Sequence, residues 1–74
     1  MKIQVVLIGQ FIPRLGFSEK AVEVPAPFTA GDLAAQLGLG EVDKVMAKNG
    51  QGIAGGEPLK EGDRVVIAPI FSGG

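Results

Sequence analysis

Apolar and polar positions alternate from the start of the chain. Ile3, Val5 and Leu7 are interleaved with Lys2, Gln4 and Val6, the period of a half-buried strand over 2–8. A second strand is predicted over 19–24, with Val22 and Val24 on one face, Glu23 on the other, and Pro25 and Pro27 ending it. Between the two, Gly9, Pro13 and Gly16 break regular structure, so Gly9 to Ser18 reads as a long loop. Its Phe11, Ile12, Leu15 and Phe17 predict that it packs on something.

The pattern then changes period. Thr29 is a good N-cap and Asp32, three residues on, suits the positive end of a helix. Leu33, Ala34 and Leu37 share one face, and Gly38 is a natural stop after two to three turns. A third strand follows over 44–48, closed by Asn49-Gly50, a strong hairpin-turn signal. Gln51 to Gly56 is glycine-rich, with Ile53 as its one anchor and room for a short strand. Glu57 to Asp63 is a turn segment with Leu59 buried, and Arg64 to Pro69 is the last strand, with Val65 and Ile67 on one face.

The order β-β-α-β-(β)-β, with one main helix over one face of a mixed sheet of four to five strands, is an α+β layer arrangement. The first and last strands are the most apolar, which predicts parallel neighbours at the centre of the sheet. Ile3, Val5, Leu7, Leu33, Leu37, Val65 and Ile67 are the expected core. By parity Val45 and Ala47 join them under the helix, leaving Val6, Ile8, Met46, Val66 and Ala68 on the far face. That face is unusually apolar for a sheet covered on one side, and such a patch suggests docking. The loop 9–18 and a second copy of the chain are the other covers open to it.

Composition removes whole classes of chemistry. The 74 residues contain no His, Cys, Tyr or Trp, so the commonest general base, the thiol nucleophile and the soft metal ligands are absent together. Asp32 and Asp63 read as a capping acid and a turn residue rather than catalytic acids. Gly55-Gly56 lacks the strand-to-helix step and the Lys-Ser/Thr of a phosphate loop. A domain this small has little room for a deep pocket. The expectation is a protein on which chemistry is done, not an enzyme, with no bound cofactor and no metal. A net charge of −1 with scattered basic residues gives no footprint for nucleic acid, and no apolar run approaches the ~20 residues of a membrane span. Arg14, Lys48, Lys60 and Arg64 read as solvated surface charge. The expected location is the cytoplasm.

The sequence closes on Ser72-Gly73-Gly74. Without a Cβ, a Gly-Gly tail can thread a narrow tunnel and lie against another protein's backbone. Two glycines also arise there by chance in a chain that has 12. Read with the rest of the chain, they divide it into a domain at 1–69 and a flexible tail at 70–74 whose terminal carboxylate is a substrate.

The opening strand KIQVVLI, the T-x-x-D-L helix start at Thr29, Asp32 and Leu33, the Asn49-Gly50 turn, the block from Pro58 to Ile67 and the closing Ser-Gly-Gly together resemble the ubiquitin-like β-grasp sulfur carriers of the MoaD/ThiS family. The resemblance spans essentially the whole chain. It implies a cycle in which a ubiquitin-activating-like enzyme uses ATP to adenylate the Gly74 carboxylate. A persulfide sulfurtransferase then makes the thiocarboxylate, and a synthase subunit accepts the sulfur. Gly74 is the reacting residue and Gly73 gives access. The expected partner-binding residues are Phe71, Ile70, Val6, Ile8, Met46 and Val66. Molybdopterin-branch members often carry Pro-Pro before the last residues, where this chain has Pro69 followed by Ile70. Phe11 and Leu15, four apart after the first strand, are similar to that branch, so the reading leans to molybdopterin over thiamine-thiazole biosynthesis. Two other functions fit the same residues: a ubiquitin-like modifier conjugated through Gly74, and a β-grasp binding module with an inert tail.

Overall fold

Two strands rich in Val and Ile pair side by side because each is buried on one whole face. In the computed structural model, which describes residues 1–70, β1 (Lys2–Leu7) and β5 (Arg64–Pro69) run parallel, from Gln4 opposite Arg64 to Leu7 opposite Ile67. β2 (Glu19–Glu23) adds antiparallel to β1. β3 (Lys44–Lys48) adds antiparallel to β5, and β4 (Gln51–Ile53) antiparallel to β3. The sheet order is β2-β1-β5-β3-β4. The parallel pair requires a crossover, and α2 (Ala30–Gln36) lies on that connection over one face. This is the expected ubiquitin-like β-grasp, with the first and last strands at its centre. No helix among the described residues is long and apolar enough to cross a membrane.

Helix α2 starts on a reciprocal cap. The Asp32 N–H donates to Thr29 Oγ1 at 3.1 Å and the Thr29 N–H to Asp32 Oδ2 at 3.0 Å, satisfying two donors that the first turn leaves free. Asp32 is thus the structural acid its position suggested. Ala30, Leu33 and Ala34 pack down on Ile3, Val5, Leu7, Val65 and Ile67, all buried. Leu37, expected in the core, is the C-cap and only partly buried. Gly38 takes a left-handed conformation (φ +78°) and reverses the chain, so Leu39 enters the core instead, its N–H bonded to the Ala34 carbonyl at 2.8 Å.

Two further expectations need correction. Gly9 to Ser18 is not all loop: Phe11–Leu15 forms a short helix, α1. Pro13 is its third residue, in the first turn, where the N–H it lacks has no intrahelical partner anyway. Gly16 at φ +85° ends the turn, and Phe11 is buried in the core. The parity of β3 is also inverted. Met46 lies opposite Ile67, which faces the helix, so Met46 is buried while Val45 is exposed. Residues directly opposed across an antiparallel pair point to the same face, and that register outranks the count of apolar residues within KVMAK.

Candidate docking face and the root of the tail

The corrected register arranges the far face in two rows. Val6, Val66 and Ala47 align across β1, β5 and β3. One step towards the end of β5, Ala68 lies opposite Val45 and is flanked on the other side by Ile8, the residue after the Leu7–Ile67 pair. Met46, expected here, is on the opposite face, and Val45 takes its place. Ile8 is 45% exposed, Val45 54% and Ile70 53%. With Ile12 of the adjacent α1, they are the exposed large hydrophobic residues among those described. All four belong to the end of the sheet where β5 stops. Phe11, by contrast, is drawn into the core, so α1 leaves Ile8 and Val45 open. Phe71, Gly73 and Gly74, also expected at this site, lie outside the described residues.

The opposite end of the sheet is clamped. Asn49 and Gly50 both have positive φ, 51° and 87°, and close the β3–β4 hairpin in two residues. The Asn49 side chain reaches back: its Nδ2 donates to Asp63 Oδ1 at 3.0 Å, and its Oδ1 accepts the Arg64 N–H at 3.0 Å. Asp63 Oδ2 accepts the Lys60 N–H at 2.8 Å. Burial pushes the Asp63 carboxyl up, but the Lys60 N–H, the Asn49 amide and the charges of Lys48 and Lys60 together outweigh it. The net effect holds the group below its ordinary 3.8. Lys48, expected to be solvated, pairs with Glu57 Oε2 at 2.6 Å. That hydrogen bond, opposed by partial desolvation and helped by the charges of Glu57 and Asp63, raises the Lys48 ammonium above 10.5. These groups have charged partners of their own and lie far along the strands from the exposed row, so they organise the fold. The Asn49–Asp63 contact had no signature in the pattern, since the two are 14 residues apart.

A groove of about 670 Å³ opens between α2 and the β3–β4 edge, larger than a chain of this length suggested. It exists because its walls are largely glycine and alanine, including Gly31, Ala34, Gly52 and Gly55, and Lys44 is the one ionisable residue lining it. Among the described residues no group of three or more His, Cys, Asp or Glu is placed to hold a metal ion.

The model of the ThiS family matches residues 5–74, so the match takes in the exposed row, the last strand and Gly73-Gly74. The chain belongs to the ThiS family. This family membership agrees with the ubiquitin-like sulfur-carrier resemblance drawn from the sequence. No curated protein matches the sequence significantly. Solved structures do. This ThiS-family chain is similar to the putative molybdopterin converting factor subunit 1 of Pyrococcus furiosus (26% identity, 96% of this chain and 99% of that one, TM-score 0.83). It is also similar to SAMP1 of Haloferax volcanii (25% identity, 100% of both chains, TM-score 0.82). A third likeness is to a chain in the complex of subunits 1 and 2 of the molybdopterin-converting factor of Helicobacter pylori (25% identity, 100% of both chains, TM-score 0.67).

Proposed function

We propose that this ThiS-family protein is a sulfur carrier whose reacting group is the carboxylate of Gly74. A partner enzyme joins that carboxylate to the α-phosphate of ATP, releasing pyrophosphate and giving the acyl carbon a good leaving group. The terminal sulfur of a sulfurtransferase persulfide attacks the acyl carbon and displaces AMP, and a second thiol of the partner then cleaves the resulting acyl disulfide, leaving a thiocarboxylate on Gly74 and a disulfide on the partner. A synthase subunit then accepts the sulfur in cofactor biosynthesis. In this cycle the chain is substrate and carrier rather than catalyst. The observation that carries the reading is positional: Ile8, Val45 and Ile70 are exposed at the end of the sheet from which the chain continues to Gly73-Gly74. A partner that grips this row holds the root of the tail while its active site works on the tip. Val6 and Val66 extend the row, and Phe71 supplies an aromatic anchor of the kind that dominates interfaces.

The molybdopterin branch is preferred to the thiazole branch because two of the similar structures carry the name molybdopterin-converting factor and because a helical turn, α1, follows β1. The second reading, a protein modifier conjugated through Gly74, is supported by the likeness to SAMP1, a small archaeal modifier protein. The two share activation and differ in outcome.

The test is ATP–pyrophosphate exchange with the cognate adenylating enzyme, followed by intact mass after adding the sulfurtransferase. A sulfur-for-oxygen gain on the chain marks a carrier; ladders on other proteins mark a modifier. Deleting Gly74 withdraws the carboxylate by one extended residue, roughly 3.3–3.6 Å. Misplacement by even ~1 Å can lower a rate about a hundredfold, so exchange is expected to collapse. Gly74→Ala keeps the reach and is expected to slow transfer less. A deletion variant that is activated and sulfurated as fast as the parent chain overturns the proposal in favour of a binding module with an inert tail.

A further inference from the structure

Strand β3 is left partly open where β4 departs. The two-residue turn makes Lys48 and Gln51 a hydrogen-bonded pair, and alternation makes Met46 and Ile53 the next. Even-numbered residues of β3 therefore turn their N–H and C=O towards β4, and odd-numbered ones towards β5. The Asn49 N–H agrees, donating to the Arg64 carbonyl at 2.9 Å. Lys44 is the next even residue, but β4 ends at Ile53. From there the chain climbs to α2: the Gly55 carbonyl accepts the Gly31 N–H at 2.7 Å, and the Glu57 carbonyl accepts the Ala30 N–H at 2.9 Å. Among the described residues, no backbone group pairs with Lys44 on that side. The space beside it belongs to the groove of about 670 Å³, which half-buried Ile53 and buried Met46 and Ala34 line.

We propose that this groove takes an extended peptide segment of a partner, which adds to the open edge of β3 with an apolar side chain over Met46 and Ile53 and an acidic side chain at Lys44. The N–H and C=O of Lys44 favour another backbone as occupant, because an added strand satisfies both at once. Glycine in the wall at Gly31 and Gly55 lets that backbone come close. Charge sets the direction. The first-turn donors of α2 are already taken by the Gly55 and Glu57 carbonyls and by Thr29 Oγ1, so the helix start offers an anion nothing. Lys44 is the one ionisable residue lining the groove. Its Nζ donates to the Val42 carbonyl at 3.2 Å and the Gly40 carbonyl at 3.5 Å, and it has no carboxylate partner among the described residues. The opposite edge of the sheet is guarded: β2 carries exposed Glu19, Lys20 and Glu23, charges that discourage strand addition. The inference does not depend on the reading of Gly74.

The probe is an end-capped peptide, Ser-Val-Val-Glu-Val-Ser, titrated into the isotope-labelled full chain and read by amide chemical shifts. Shifts are expected to saturate at Lys44, Met46 and Ile53 and to leave Lys20 and Val22 on the β2 edge unmoved. Replacing the peptide's Glu by Gln, or Lys44→Gln in the protein, is expected to weaken binding by up to about fivefold, the weight of an exposed ion pair. The two changes together are expected to weaken it no more than either alone. Of two peptides methylated on alternate backbone nitrogens, one is expected to bind about twofold to tenfold more weakly, because it loses its bond to the Lys44 carbonyl. If both methylated peptides bind like the parent, strand addition is overturned. Hexanoate, which has an apolar body and a carboxylate but no peptide backbone, overturns it too if it moves the same amides at the same concentration. Shifts confined to Ile8 and Val66 would place the peptide on the exposed row and sink the proposal, as would the absence of any saturable shift. The titration uses this chain alone, so it is decided whether or not Gly74 is activated.

Discussion

Val45 and Met46 are neighbours on β3 with opposite duties, and paired substitutions separate them. Met46 is 8% exposed and packs under the helix opposite Ile67. Truncating a buried Met to Ala costs about 2–5 kcal/mol. The lower end applies here, because Met46 also lines the open groove and water can fill part of the space left behind. For a domain of this size ~1 kcal/mol moves Tm by about 4–8 °C, so Met46→Ala is expected to melt roughly 8–16 °C below the parent chain. Val45 is 54% exposed, and Val45→Ala is expected to change stability by no more than about 0.5 kcal/mol. In binding the order reverses. Val45→Ala removes two methyl groups from the β3 end of the row, up to about 1 kcal/mol or roughly fivefold in Kd for the adenylating enzyme. Met46→Ala, measured well below its Tm, leaves Kd unchanged. Calorimetric melting and titration on both variants decide the matter. If Val45→Ala is the variant that melts early while Met46→Ala weakens binding, the register of β3 against β5 is wrong and so is the docking face built on it.

Asp63 contributes stability as a carboxylate. Its folded pKa is depressed, so this contribution is present above its ordinary 3.8 and is lost as pH falls from there through the lower folded value. Asp63→Asn presents one acceptor where two are used and turns an NH2 towards a donor. The expected result is a loss of about 1–3 kcal/mol at neutral pH and a flatter acid limb in urea titrations, and unchanged acid sensitivity would remove Asp63 from the account. Gly50→Ala forces a side chain into φ +87° with open space around it, so strain alone acts. It is expected to cost about 1–2 kcal/mol by denaturant unfolding without altering activation at Gly74.

Strands, helix and topology were legible because their signals are local and agree with one another. The alternation of KIQVVLI, the Thr29–Asp32 cap and the Asn49-Gly50 turn each fix one element, and the apolar weight of the first and last strands fixes their adjacency. What escaped was decided by contacts distant in sequence. KVMAK is apolar at both parities, so only its pairing with β5 could choose between Val45 and Met46. Leu37 fits the helical stripe, but the reversal at Gly38 gives its place to Leu39. Pro13 reads as a breaker until the helix is seen to begin just before it. Of the candidate docking face, Val6, Ile8 and Val66 follow from parity alone and Ile70 from its place at the start of the tail, while parity puts Met46 where Val45 belongs.

The topology itself explains why the exposed row and the tail root coincide. A parallel β1–β5 pair ends on both strands at the same edge of the sheet, and β3, antiparallel to β5, begins there. The residue after β1, the first outward residue of β3 and the residue after β5 are therefore neighbours whatever their identity, and in this chain they are Ile8, Val45 and Ile70. At the other edge the same strands carry Lys2, Lys48 and Arg64, and charge or the Asn49–Asp63 clamp occupies the surface. Among the described residues, exposed large hydrophobic side chains are confined to one end of a sheet whose interior needs nothing from them. Burying the three side chains against a partner stabilises a complex without drawing on the fold's own core.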